Sequence, residues 1–77
     1  MKIHLKYCSS WNYEPKAVSL ASQILSTLKK KVSGLELEPS DGGCFELTVN
    51  DKLVYSKLAT GQFPDEEAIV SEVVGMA

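Results

Sequence analysis

The chain has 77 residues, enough for one small domain with a modest core, because folding at this size buries only about 60% of the unfolded surface. Two cysteines, Cys8 and Cys44, and one histidine, His4, exclude a disulfide-dense scaffold and a four-ligand zinc site made from Cys and His alone. Eight basic against ten acidic residues give a net charge of −2, without the basic surplus of a nucleic-acid binder.

In chain order, residues 2–7 alternate, with Ile3, Leu5 and Tyr7 on one side and Lys2, His4 and Lys6 on the other, which predicts a strand with one buried and one wet face. Cys8 to Pro15 breaks the alternation. From Pro15 a helix is predicted, with an apolar face of Ala17, Val18, Ala21, Ile24, Leu25 and Leu28. Glu14 reads as a cap or hinge, since the residue before a proline avoids helical geometry. Lys29-Lys30-Lys31 is expected to close the helix, where positive charge complements the dipole. Leu35 to Glu38 alternates and is expected to end as a strand at Pro39. Ser40 to Gly43 is loop chemistry.

Cys44 to Val49 reads as a third strand with Phe45, Leu47 and Val49 inward and Cys44, Glu46 and Thr48 outward. Asn50-Asp51 is a tight turn that tolerates positive φ. Lys52 to Lys57 returns as a fourth strand, with Leu53 and Tyr55 on one face and Val54 and Ser56 on the other. Thr60-Gly61-Gln62 is expected to be a loop. Pro64 to Glu67 opens a last helix whose apolar face is Ile69, Val70, Val73, Val74 and Met76. The predicted architecture is a two-layer α/β domain, βαβββα, over residues 1–77. It has a four-stranded mixed sheet with both helices mainly on one face.

No window approaches about 18 consecutive apolar residues, and the first residues lack the apolar centre of a signal peptide. A cytoplasmic, reducing setting is the expectation, with no membrane or nucleic-acid contact and a monomeric state. There a cysteine is more often free or catalytic than bridged.

Three segments together resemble the selenoprotein W-like (Rdx) family of small thioredoxin-like proteins. Tyr7-Cys8-Ser9-Ser10-Trp11-Asn12-Tyr13-Glu14-Pro15-Lys16 is similar to the family's Tyr-Cys-x-x-(Sec or Cys) loop followed by Gly-Tyr-x-Pro. Gly43 to Lys57 is similar to its Gly-x-Phe-Glu-Val-x-Val-Asn-Gly-x-Leu-Val-x-Ser-Lys hairpin, and Gly61-Gln62-Phe63-Pro64 to its Gly-Phe-Pro helix entrance. The resemblance implies a thioredoxin-like fold and a redox loop between the first strand and first helix. Asn12 and Asp51 replace family glycines. The larger departure is Trp11, which stands where the second redox residue belongs. Only Cys8 carries over, so the family's two-atom loop chemistry has no counterpart here.

Cys8 is therefore the candidate nucleophilic thiol, and glutathione is an expected co-substrate. A helix N-terminus near the sulfur favours the reactive thiolate, strongly if the helix began near Ser10 and weakly if it began at Pro15. Cys44 is the candidate resolving thiol, because a third strand antiparallel to the first would begin beside the end of the first. The alternative is a small inert strand residue. Ser9, Ser10, Trp11 and Tyr13 are the candidate substrate- or partner-binding residues; exposed tryptophan is favoured at interface hot spots. Ser9 and Ser10 have no histidine partner in sequence and read as loop or cap residues. His4 is expected to be solvated, and no metal site is expected. Two functions compete: a thiol redox protein using Cys8, and a redox-silent interaction domain using the Cys8–Trp11 loop. A third reading takes Trp11 as a recoded selenocysteine position.

Overall fold

A computed structural model describes residues 1–77. The elements are β1 (Lys2–Cys8), α1 (Glu14–Leu28), a 3₁₀ turn (Lys29–Lys31), β2 (Gly34–Ser40), β3 (Phe45–Val49), β4 (Lys52–Ser56), α2 (Lys57–Thr60) and α3 (Glu66–Gly75). The sheet order is β2-β1-β3-β4. β1 runs parallel to β2 and antiparallel to β3, and β3 runs antiparallel to β4. The expected mixed four-stranded sheet is therefore present.

One core forms between the sheet and the helices. Ile3, Leu5 and Tyr7 of β1 and Phe45, Leu47 and Val49 of β3 meet Ala17, Leu20, Ile24 and Leu28 of α1 and Ile69 and Val73 of α3. Both long helices thus cover the same sheet face, as the alternation of β1 and β3 requires: each buried aliphatic side chain contributes about 1.5–3 kcal/mol. The opposite face carries Lys2, His4, Lys6, Glu46 and Thr48, none of them buried. His4 Nε2 lies 2.7 Å from Glu38 Oε1 on β2, so it is paired across the strands and not merely solvated.

Several boundaries differ from the sequence reading. α1 begins at Glu14, so this residue is helical, and Tyr13 precedes it without a side-chain capping bond. Leu20 is buried, whereas Val18 and Leu25 are exposed, because the buried stripe is centred on Ala17, Leu20 and Ile24. The helix ends at Leu28. Lys29 turns into the left-handed region (φ 47°), and its N–H bonds to the Leu25 carbonyl. β2 does not stop at Pro39, which pairs with Tyr7. An edge strand has an unpartnered side, and proline is admitted there.

The largest differences lie around β4. Its register against β3 slips from Leu47↔Tyr55 to Thr48↔Leu53, which leaves Val54 as an extra residue. Val54 and Tyr55 consequently both pack against the core, while Leu53 is exposed. The expected strict alternation fails at this bulge. The fourth strand, expected to run to Lys57, stops at Ser56, and Lys57–Thr60 forms α2, capped by Ser56 Oγ accepting from Ala59 N–H at 3.1 Å and closed by left-handed Gly61. Asn50 and Asp51 take φ of 51° and 68°, the two positive values of a type I′ hairpin turn. On α3, Asp65 caps the first turn by accepting from Glu67 N–H, and Glu66 accepts from Ser19 and Gln23, tying α3 to α1. Ile69 and Val73 are buried, but Val74 is exposed. No helix is long and apolar enough to cross a membrane.

Candidate functional site

β1 delivers Cys8 to the end of the sheet from which the chain turns toward α1. Tyr13 N–H donates to the Cys8 carbonyl at 3.0 Å and Asn12 N–H to the Ser9 carbonyl at 3.1 Å, so residues 9–12 form tight turns instead of a helical start. Asn12 takes φ 59°. Asn12 and Asp51, the two replacements for family glycines, thus both sit in the left-handed region, which Asn and Asp enter more readily than most residues. The helix starts at Glu14 and not near Ser10, but its N-cap residue Tyr13 is hydrogen-bonded to the Cys8 carbonyl, so the helix start lies against the Cys8 backbone.

Cys44 lies directly across from Cys8. The β1–β3 register runs out at Tyr7↔Phe45, and one step further Cys8 N–H donates to the Cys44 carbonyl at 2.9 Å. Only this one bond of an antiparallel pair is made, because the Cys8 carbonyl accepts from Tyr13 N–H; the single bond still holds the two cysteine backbones adjacent. Both thiols are free. Both are also enclosed, Cys8 at 0% and Cys44 at 4% exposure. The expectation that Cys44 faces outward is corrected here. It falls on the outer side by alternation, but the turns close over this end of the sheet. Ser9 contributes by donating from its N–H and from Oγ to the Ser40 carbonyl, at 2.9 and 3.1 Å.

Trp11 lies on top of this closure and is 63% exposed. Its ring rests on Gly43: a Cβ built at Gly43 would lie 2.6 Å from Trp11 Cζ3. Gly43 also has φ +74°, so both backbone conformation and space call for glycine. Gly43→Ala is expected to cost about 1–2 kcal/mol for the left-handed residue alone. It should also push the Trp11 ring aside, shift the emission of this single tryptophan, and speed labelling of the two thiols by a disulfide reagent. Unchanged labelling would show that Trp11 does not shield them.

Of the other expected site residues, Ser9 and Ser10 are exposed and Tyr13 is half-buried. Tyr7 is part of the core. The fold adds Phe63, Lys16 and Lys57, which the sequence reading did not single out. Trp11, Tyr13 and Phe63 form an edge-to-face series with centroids 6.1 and 4.6 Å apart, and Phe63 continues to buried Phe45 at 5.4 Å. Lys16 Nζ lies 4.7 Å from the Phe63 centroid, and Lys57 Nζ lies 5.2 Å from Phe63 and 5.3 Å from Tyr13. In the sequence, Phe63 appeared only within the Gly61-Gln62-Phe63-Pro64 helix entrance. Nothing local pairs Lys16 with Lys57. No cluster of three or more His, Cys, Asp or Glu side chains is assembled for a metal.

The profile of the Rdx family matches residues 2–74. The chain is 33% identical over 75 residues to migration and invasion enhancer 1 of Bos taurus, covering 95% of this chain and 62% of that protein. It is 30% identical over 76 residues to selenoprotein W of Danio rerio, covering 96% of this chain and 87% of that protein. The chain therefore spans less than two thirds of the first of these relatives. Two solved structures share the fold at 24% identity: a selenoprotein W-related protein from Vibrio cholerae, with a TM-score of 0.91 over 97% of this chain and 94% of that one, and a protein from Bordetella parapertussis, with 0.92 over 99% and 96%. With the thioredoxin-like sheet, the Cys8 loop and the profile match in agreement, the chain belongs to the selenoprotein W-like Rdx family.

Proposed function

We propose that the protein is a thiol redox protein of cell redox homeostasis, with Cys8 as its reacting sulfur and glutathione as its external thiol, acting as a cytoplasmic monomer. The family membership supports a redox-related role. The single observation that carries the reading for this chain is the placement of two free thiols opposite one another at the loop end of β1 and β3. The Cys8 thiolate attacks the glutathione sulfur of a mixed disulfide between glutathione and a substrate thiol. A Cys8–glutathione bond forms, the original S–S bond breaks, and the substrate leaves as its thiolate while the Cys8 proton passes to solvent. In the monothiol cycle, a glutathione thiolate then attacks the glutathione sulfur of this adduct, regenerating Cys8 and releasing glutathione disulfide. With Cys44 as resolver, its thiolate attacks the Cys8 sulfur instead and expels glutathione, leaving a Cys8–Cys44 disulfide. Because Cys8 is enclosed, either cycle requires the 9–12 turns to open locally.

Intact-mass analysis after exposure to glutathione disulfide tests this. One glutathione adduct is expected on Cys8, and none in Cys8→Ser. If Cys44 resolves, Cys44→Ser accumulates the adduct; if glutathione resolves, Cys44→Ser behaves like the parent. Labelling of Cys8 only after denaturation would defeat the proposal.

The exposure of Trp11 where the second redox residue belongs favours a second reading, an interaction domain using Ser9, Ser10, Trp11 and Tyr13. In that case Cys8→Ser leaves cellular function intact and Trp11→Ala abolishes it. The reverse pattern selects the redox reading.

A further inference from the structure

We infer that Lys16 and Lys57, held against the aromatic series beside the Cys8 loop, form with Trp11 a docking surface for an acidic segment of a partner protein. The inference rests on the reading that the Cys8–Trp11 loop is the working surface, whether for redox exchange or for binding alone. All eight basic residues of the chain are lysines, and only these two are fixed over aromatic rings. Neither is ion-paired; the one ion pair of the molecule is His4–Glu38. Both ammonium groups sit within 5.2 Å of the same Phe63 centroid, although they come from α1 and α2. Their separation therefore cannot exceed the two ring distances laid end to end, a span that one or two neighbouring carboxylates bridge. The ring faces limit the lysine rotamers before any partner arrives, which lowers the ordering cost of binding.

The surface is aromatic at its exposed end and cationic along its flank, in a chain whose net charge is −2. This local reversal of sign selects acidic partners. The absence of concavity selects a macromolecule over a small ligand. The molecule has two cavities, an open groove of about 790 Å³ along Lys2, His4, Glu36 and Thr48 and a hollow of about 370 Å³ at Met1, Lys31 and Met76. Both lie at the opposite end of β1 from Cys8, and neither touches the aromatic series. A small molecule would need a pocket there. A protein segment needs a projecting aromatic anchor and flanking charges, and both are present.

The test is a titration of the full chain with a fluorescently labelled peptide of alternating Glu and Leu, and with its Lys–Leu counterpart, read by anisotropy. Saturable binding of the Glu peptide alone is expected, weakening as salt is raised. Lys16→Gln with Lys57→Gln should weaken it about tenfold, Trp11→Ala should also weaken it, and the double arginine replacement should retain it. Equal binding of both peptides, or no effect of the double glutamine variant, overturns the proposal. So does equal binding of a single-stranded oligonucleotide or of phosphatidylserine vesicles, because the patch is then a general anion site. Cys8→Ser should bind the Glu peptide unchanged, so failure of the redox reading leaves this result standing, and failure here leaves the glutathione test untouched.

Discussion

Phe45→Ala is expected to remove about 3–5 kcal/mol of stability, the usual cost of emptying a buried aromatic site. A chain of this length has about 4–12 kcal/mol in total at typical values per residue, so the variant sits near its unfolding threshold. Phe45 is 1% exposed at the first position of β3, pairs with Tyr7 across the ladder, and is the core end of the series that runs through Phe63 and Tyr13 to Trp11. Truncation opens a cavity under the helices and removes the ring against which Phe63 is placed. Urea unfolding followed by far-UV circular dichroism measures the loss. Leu53→Ala, at an exposed β4 position, should stay within about 0.5 kcal/mol under the same conditions. A loss below about 1 kcal/mol for Phe45→Ala would show that the loop is not rooted in the core through this residue.

Glu46→Ala should cost about 2–3 kcal/mol, with the damage confined to one end of the molecule. The Glu46 carboxylate accepts from the Ser56 hydroxyl, from Lys57 N–H at 2.9 Å, from Leu58 N–H at 3.4 Å and from Phe45 N–H at 3.1 Å. Ser56 Oγ accepts in turn from Ala59 N–H. Glu46 and Ser56 therefore satisfy the first amides of α2, a four-residue helix too short to persist without them. Its first residue is Lys57, so the variant also releases a cation from Phe63 and Tyr13. Amide exchange at residues 57–59 should rise sharply in Glu46→Ala and less in Glu46→Gln, which keeps one accepting oxygen. Unchanged exchange there would mean that α2 is held by packing alone.

These two neighbours show how differently the sequence carries its information. The inward period of Phe45, Leu47 and Val49 is local, and so is that of Ile3, Leu5 and Tyr7. Burial on one face leaves a repeat of two, and both strands were legible from it. The Asn50-Asp51 turn was equally legible, because its geometry is set by the two residues themselves. Glu46 looked like an outward, solvated residue. Its role depends on the backbone of residues 57 and 58, and the β4 bulge between them shifts every facing position by one. Alternation is silent about such a slip. Pro39 was misread for a related reason: whether proline ends a strand depends on whether the strand lies at an edge, which is a property of the sheet.

By itself, the sequence determined the layer order, the two faces of the central strands, and a loop that matches the family motif at Cys8 and departs from it at Trp11. Each follows from neighbours in the chain or from a motif of fixed spacing. The sequence anticipated Cys44 beside the end of β1, but tertiary structure alone decided that both cysteines are enclosed, that Gly43 must lack a side chain beneath Trp11, and that Lys16 and Lys57 converge on Phe63. Those relations join residues far apart in the chain. They arise only when antiparallel pairing and helix packing close the loops between them, and no periodicity along the chain encodes that closure.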